Sequence, residues 1–580
     1  MNEDLEKLKS TPEDYSFHTS RIMFCILNGE VKIGPKNTSE SHIEWFKREG
    51  WLTDETAEDF LRKNVRGFYL PAEDKLYAYR GVGFQFDPQT LPELVERMED
   101  LKKAFNLTGK TKICLGPKDS PVKDVEYPRI CVGTVNGLMS GLKVTLMKVT
   151  GSQTLAAAAA LGCFEEKSSE DLFKELNSLP EAERKKKEKA VLKNSFGRGH
   201  GSVGDQTFFF YSIENLPRLT TLQLCLPEYP AHLQQSLRRA QATRGVYLPE
   251  SIKSSPLAKE AEKLAARTFD FYNRAQQAGI PAEDARFPLV LYTKTNISTM
   301  LDAREMCHVD YMSHSPGVPA ITTETADDMM GLAKLETPDM LQDYGFNFEP
   351  ISWYPSSQLF AQTNPTMRQL IKEKGKEQVS FLGYTCPFKI TPEIMQRAVG
   401  EKNEAELANL KHAHFEFLAS MSLACFHQAT RQRTWNHSVE SIYDAVKDAL
   451  EHPDNRIVIP PSIQGSQFLN EYKEIHFSLI DLYKRLVDAG VPKSDAIGVI
   501  PHSLKIYDLI HINGWNAIHS IGKRTCNEAQ WEIRLIARIM AKGIKTAEPA
   551  FGPWAEPQCI TYRKCPELKD CGYYKTRQKS

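Results

Sequence analysis

The chain has 580 residues, of which 41% are hydrophobic and 25% charged, with a formal net charge of −1 and a pI near 6.9. That length and composition suit a well-cored protein of three or four domains, and the near-neutral balance supplies no field to recruit nucleic acid or an anionic membrane. The alanine-rich apolar run at 154–164 is far short of the ~20 residues of a membrane span, the N-terminus is too acidic and polar for a signal peptide, and twelve cysteines are too sparse for a disulfide scaffold, so a cytoplasmic protein is expected.

In chain order, residues 1–140 carry the strand-like runs Ile22–Leu27, Lys75–Tyr79 and Lys112–Leu115, with helical spacing over 91–105. They predict a small N-terminal α/β module of unassigned role. From Gly141 onward, 144–149 reads as a strand and 168–194 as a charged helical stretch. Its basic run beginning at Arg184 is read as a solvated helix face. Gly199, Gly201 and Gly204 fit the dinucleotide-binding spacing. That motif must follow a strand and open a helix. Here a helical stretch precedes it and the aromatic run 207–213, a strand by composition, follows, so a Rossmann site is rejected. Helical segments are expected over 223–242 and 257–277, and a connection rich in Pro, Gly and Ser over 313–412. The core of a second unit is expected from about 411 to 545, with its clearest helix at 527–542. Near the end, Cys559, Cys565 and Cys571, with Cys526, offer thiolates, but not at the tight spacing of common zinc knuckles. The expectation is free thiols in a C-terminal tail and no metal, with a structural zinc on these thiolates as the alternative.

Two stretches repeat. Ala278, Gly279, Pro281 and Asp284 recur as Ala489, Gly490, Pro492 and Asp495. Tyr272 and Arg274 stand as far before the first Ala-Gly as Tyr483 and Arg485 before the second. Gln223 precedes Ser236 by the interval that separates Gln428 from Ser441. A tandem duplication is expected, with domains at 1–140, 141–340 and 341–580.

The polar string Gln428, Arg431, Gln432, Arg433, Glu440, Ser441 is dense in groups that bind phosphate or an anionic ring. On composition alone a helix with surface ion pairs explains it as well. The longer pattern resembles the signature of the flavin-dependent thymidylate synthases. Gly199 to Val203 before an aromatic strand is similar to that family's Gly-His-x-Ser/Thr element, and Asp284-Ala285-Arg286 with Asp302-Ala303-Arg304 to its Ala-Arg and Asn-Ala-Arg segment. Asn513, Arg524 and Ala529-Gln530-Trp531-Glu532-Ile533-Arg534 fall at the spacing of its late motifs. The resemblance covers about 141–310 and 411–545. It implies an α/β (α+β) fold in each copy and a nucleotide site shared between copies.

The copies depart from the family in complementary ways. The first has Leu226-Pro227-Glu228 in place of the Arg-His-Arg clamp, yet keeps Gln235, Ser236, Arg238 and Arg286. The second keeps Gln428, Arg431, Arg433 and Arg524, yet has Tyr443 and Ile497 where arginines belong. One composite site is complete and the other is stripped, which predicts a pseudo-dimer with one pyrimidine-nucleotide site. The resemblance implies reductive C5-methylation of dUMP to dTMP, with FAD as cofactor and NADPH and 5,10-methylenetetrahydrofolate as co-substrates. It assigns Gln428, Arg431, Gln235, Ser236, Arg238, Arg286 and Arg524 to dUMP, with Arg524 and Ser236 as the catalytic pair. It assigns Ser202, Arg431, Gln432, Arg433, Asn513 and Arg304 to FAD. Gln432 replaces the clamp histidine and Trp515 an arginine. These changes admit two rivals, a relative with another flavin- and folate-dependent pyrimidine modification and a non-catalytic nucleotide-binding paralogue. A homodimer of pseudo-dimers is the expected assembly.

Overall fold

The protein is described here by a computed structural model. It describes residues 141–341, 358–568 and 570–577 without a break. Within 1–140 it describes 22–28, 30–36, 42–51, 64–70, 75–79, 97–105, 112–115, 123–124 and 134–136, with positions 53 and 60.

The N-terminal strands are β1 (Ile22–Leu27), β2 (Glu30–Lys36), β3 (Arg66–Leu70), β4 (Lys75–Tyr79), β5 (Lys112–Leu115) and β6 (Lys123–Asp124). They form one sheet in the order β2-β1-β3-β4-β5-β6, antiparallel except where β4 meets β5. The helix Met98–Phe105 buries Leu101 and Phe105 against Phe24, Ile26 and Leu76. The part of the expected helix before residue 97 lies outside the described residues.

Two further sheets repeat one plan. The first joins β7 (Thr134–Asn136), β8 (Lys143–Thr150), β9 (Phe208–Pro217), β10 (Ala231–Gln234) and β11 (Lys294–Asp302) in the order β10-β11-β9-β8-β7. The second joins β12 (Val379–Thr385), β13 (His414–Ser422), β14 (Asn436–Val439) and β15 (Lys505–Asn513) in the order β12-β13-β15-β14. Read from β14, it runs β14-β15-β13-β12, matching β10-β11-β9-β8, and every pairing in both sheets is antiparallel. In β9, Phe209, Tyr211 and Ile213 turn inward while Phe208 and Phe210 stay partly exposed, the period-2 pattern of a one-sided strand.

Three expectations change. The stretch 223–242 is not one helix: Arg218–Leu224 is helical, then β10 forms, because the prolines at 227 and 230 end the helix and the segment adds to the sheet edge. The charged stretch 168–194 is two helices, Ser169–Ser178 and Glu181–Asn194, broken at Pro180. The region 313–412, expected as a connection, holds the helix Ala320–Glu336, the helix Pro365–Lys374 and strand β12, so the core of the second unit begins before residue 411. Ala320–Glu336 is the counterpart of Trp531–Ala547, and both have 17 residues. The helix forms without the motif residues that its counterpart carries.

The repeated landmarks have backbone and contact reasons. Gly279 and Gly490 follow the long helices Ala258–Gln277 and Leu469–Asp488 with φ of 87° and 89°, the left-handed turn that stops a helix. These helices pack together, with Phe271 edge-on to Phe468 at 5.6 Å. Arg274 Nη2 donates to Glu471 Oε1 at 2.7 Å, and Arg485 Nη1 donates to Glu260 Oε2 at 2.8 Å. Ser251 Oγ donates to Asp495 and Ser462 Oγ donates to Asp284, each at 2.5 Å. Leu291 N donates to Ile500 O at 2.9 Å, and His502 N donates to Leu289 O at 3.0 Å. Each pair is the exchange of the other under the 211-residue offset from Ala278 to Ala489. Next to it, Tyr292 lies over Gly498, where an added Cβ would come within 2.2 Å of the ring.

Candidate functional site

Strand β10 of the first half meets the 430–433 loop of the second. That loop follows the helix Leu423–Ala429, whose N-cap Ser422 accepts from Cys425 N. Arg431 Nη1 donates to His232 O at 3.2 Å and Nη2 to Gln234 Oε1 at 2.9 Å. Arg433 Nη1 donates to Pro230 O at 3.3 Å. The second half's arginines are thus fixed on the first half's edge strand.

Arg524 ends the helix Gly514–Arg524. Its Nη2 donates to Gln428 O at 3.3 Å, and the Gln432 amide, turned with its oxygen toward it, accepts from Nε at 2.9 Å and Nη2 at 2.5 Å. From the first half, Arg238 Nε donates to Glu283 Oε2 at 2.7 Å and Nη2 to Glu528 O, in the second half, at 3.1 Å. Arg286 is buried, with Nε donating to Glu283 O. Arg218 is buried too, and its Nε donates to His502 Nε2 at 2.9 Å. Since His502 Nε2 accepts, its Nδ1 carries the proton and donates to Leu289 O at 2.6 Å.

These cations push on one another. Burial, then Arg286 and Arg431, brings Arg218 down to about 9. Burial, then Arg238, brings Arg286 down to about 10. Arg524 is lowered by burial, with Arg238 and Arg431 adding to it. An arginine stays protonated at any physiological pH, so the downward push marks a site short of negative charge. His427 and His502 are held neutral, far below 6.5, by burial and then Arg218. Among the described residues, three buried donors of this cluster have no hydrogen-bond partner: Arg218 Nη1, Arg286 Nη2 and Gln428 Nε2. Unpaired buried donors are costly, and an anion is the kind of ligand that accepts from such groups.

The structure therefore gathers Gln428, Arg431, Gln432, Arg524, Arg238 and Arg286. Gln235 and Ser236 lie on the same turn as Arg238: Gln235 N donates to Asn296 O, and Ser236 Oγ accepts from Arg238 N at 3.2 Å. Asn513 caps its helix, accepting from Asn516 N at 3.0 Å, and Asn516 holds Thr434 beside Arg433. Ser202 and Arg304 stand together elsewhere. Arg304 Nη2 donates to Asp205 at 2.7 Å, and its side chain fills the space over Gly201. Among the described residues no hydrogen bond ties Ser202 or Arg304 to Arg431, Gln432 or Arg433. Sequence reasoning missed Arg218 and His502. The available signal was an arginine at a strand-to-helix junction where the other copy has Leu423.

The equivalent place on the other side is filled. Ile442 N donates to Leu359 O at 2.9 Å, Ser441 N to Thr363 Oγ1 at 2.8 Å and Gln223 Nε2 to Gln358 Oε1 at 3.4 Å. Tyr443 OH donates to Gly317 O at 2.5 Å and packs against Phe360. Leu359 and Phe360 are buried. Glu440 is paired with buried Arg456 at 2.7 Å.

A family model described as thymidylate synthase complementing protein matches residues 145–339 and 373–550. The flavin-dependent thymidylate synthase of Pyrococcus furiosus is 33% identical over 164 residues, 27% of this chain and 67% of that one. The protein of the same description from Geobacter sulfurreducens is 32% identical over 160 residues, with the same coverage. A solved UMP/dUMP methylase from Streptomyces cacaoi, bound with 5-Br dUMP, aligns at 16% identity and a TM-score of 0.31, over 36% of this chain and 96% of that one.

Proposed function

Because this chain belongs to the thymidylate synthase complementing protein family, we propose that it is a flavin-dependent thymidylate synthase that methylates C5 of a uridine nucleotide, dUMP to dTMP. The two halves act as a pseudo-dimer with one composite site. The observation that carries this reading is the set of arginines from both halves, Arg218, Arg238 and Arg286 with Arg431 and Arg524, around buried donors that lack partners. The reciprocal contacts across the 211-residue offset support the pseudo-dimer.

In this reading Arg238 and Arg286 take the phosphate with forked hydrogen bonds. Gln428, Gln235 and Arg431 line the nucleotide. Arg524, oriented by Gln432, lies against the uracil and stabilises negative charge on its N3–O4 edge. Ser236 presents its hydroxyl from the turn that carries Arg238. FAD, when bound, supplies the hydride, and 5,10-methylenetetrahydrofolate and NADPH serve as co-substrates. The donors at 431–433 fit a pyrophosphate, since Arg433 is exposed and, among the described residues, meets only main-chain carbonyls. Asn513 stands beside them. Ser202 and Arg304 reach the flavin in a homodimer, from a second chain.

The test is flavin absorbance of the purified chain, then tritium release from C5-labelled dUMP that depends on folate and NADPH. Colourless protein that FAD cannot reconstitute would sink this reading. One observation favours a second: Trp515 stacks on His519 at 4.7 Å where the family carries an arginine, and Gln432 spends its oxygen on Arg524. FAD bound without tritium release would point to a related pyrimidine modification.

A further inference from the structure

Four cysteines that the nucleotide site does not use converge at the foot of the helix that carries Arg524. Cys526 lies two residues beyond that helix, Cys559 in the short helix Gln558–Thr561, and Cys565 and Cys571 in the C-terminal turns. All four line one cavity, and all four are free thiols. A tail of unrelated thiols has no reason to gather at one point. Thiolate-ligated metal centres require it.

The spacing argues against one of the candidate metals. No three of the four sulfur atoms lie within 4.8 Å of one another. A single tetrahedral zinc, with Zn–S of about 2.3 Å, needs sulfur–sulfur edges of about 3.8 Å. A four-iron cluster holds its cysteine sulfurs roughly 6 Å apart and a two-iron cluster holds them in two separate pairs, so neither brings three sulfurs that close.

We infer that Cys526, Cys559, Cys565 and Cys571 ligate an iron–sulfur cluster. It clasps the C-terminal tail to the loop between Arg524 and Gln530. That loop is already tied on both sides. Asn527 Nδ2 donates to Cys571 Sγ at 3.7 Å, Arg538 Nη2 donates to Asn527 Oδ1 at 2.8 Å, and Glu528 O receives Arg238. The cluster is a positioning device for both ends of the nucleotide site. Its presence does not depend on which nucleotide reaction the site performs.

The test uses the full chain, produced with iron supplied and purified without oxygen. Iron, acid-labile sulfide and zinc are quantified, and Mössbauer spectra read the iron without interference from flavin. The expected result is iron and sulfide in equal amounts, about two to four of each per chain. The Cys565→Ala/Cys571→Ala double variant changes only the tail, keeps the wild-type circular dichroism and loses the iron. One zinc per chain with no iron, no metal in the wild type, or iron retained in the double variant would each overturn the assignment.

Discussion

Arg286 is the residue where the conflict between folding and binding is sharpest. It is buried, it sits beside Arg238, and among the described residues its Nη2 has no partner. Charge-assisted hydrogen bonds contribute about 1.5–3 kcal/mol, so Arg286→Met should weaken dUMP binding by roughly 10- to 100-fold. Without ligand the same change removes a buried like charge, and the melting temperature should hold or rise by a few degrees. Isothermal titration and thermal melts read the two effects separately. Unchanged affinity with a lowered melting point would mean that the arginine is only structural. Gln432 acts through Arg524, so Gln432→Ala should lower kcat by about tenfold with little change in KM for dUMP. Equal loss in both would assign Gln432 to binding instead.

At the scale of elements, the helix Trp531–Ala547 is fastened by Glu532, which accepts from Ser422 N at 2.7 Å and Ser422 Oγ at 2.5 Å. Burial raises its carboxyl from 4.5 to about 7, against those bonds. A folded value above the unfolded one gives stability that is full below 4.5 and lost as pH rises through 7. Glu532→Gln cannot ionise, so its melting point should gain on the wild type between about pH 5 and about pH 8. A gap that does not move with pH would show that Glu532 does not titrate there. On the filled side, Phe360→Ala should cost about 3–5 kcal/mol of stability and leave dUMP affinity intact. Tighter or doubled nucleotide binding in that variant would mean that the segment covers a working second site. What was legible in the sequence divides along these elements. Landmarks that match between copies, such as Gly279, Arg274 and Asp284, turned out to stop helices and join the halves. Landmarks that differ, Arg286 against Ile497 and Arg431 against Leu226, led to the arginine cluster. The helix Ala320–Glu336 was not legible, because a helix needs only apolar spacing and its motif residues had gone. The strap at Leu359 and Phe360 was not legible either, since no local pattern says which surface an apolar pair will cover.

For the molecule as a whole, the arginine cluster on one side and the strap on the other predict one dUMP per chain. A titration stoichiometry near two would contradict the single composite site. The contact between Tyr292 and Gly498 carries a consequence for how such a chain stays correctly assembled. Under the repeat offset, Gly498 corresponds to Phe287 and Tyr292 to Ser503. The first half therefore presents two large rings at this seam, and the second presents two small residues. Two first halves pairing with each other would oppose ring to ring, and two second halves would leave a void. Only unlike halves fit, as a plug fits a socket. Produced as separate polypeptides, 141–341 and 358–580 should recover each other from a mixture rather than self-associate, and Gly498→Phe should abolish that preference.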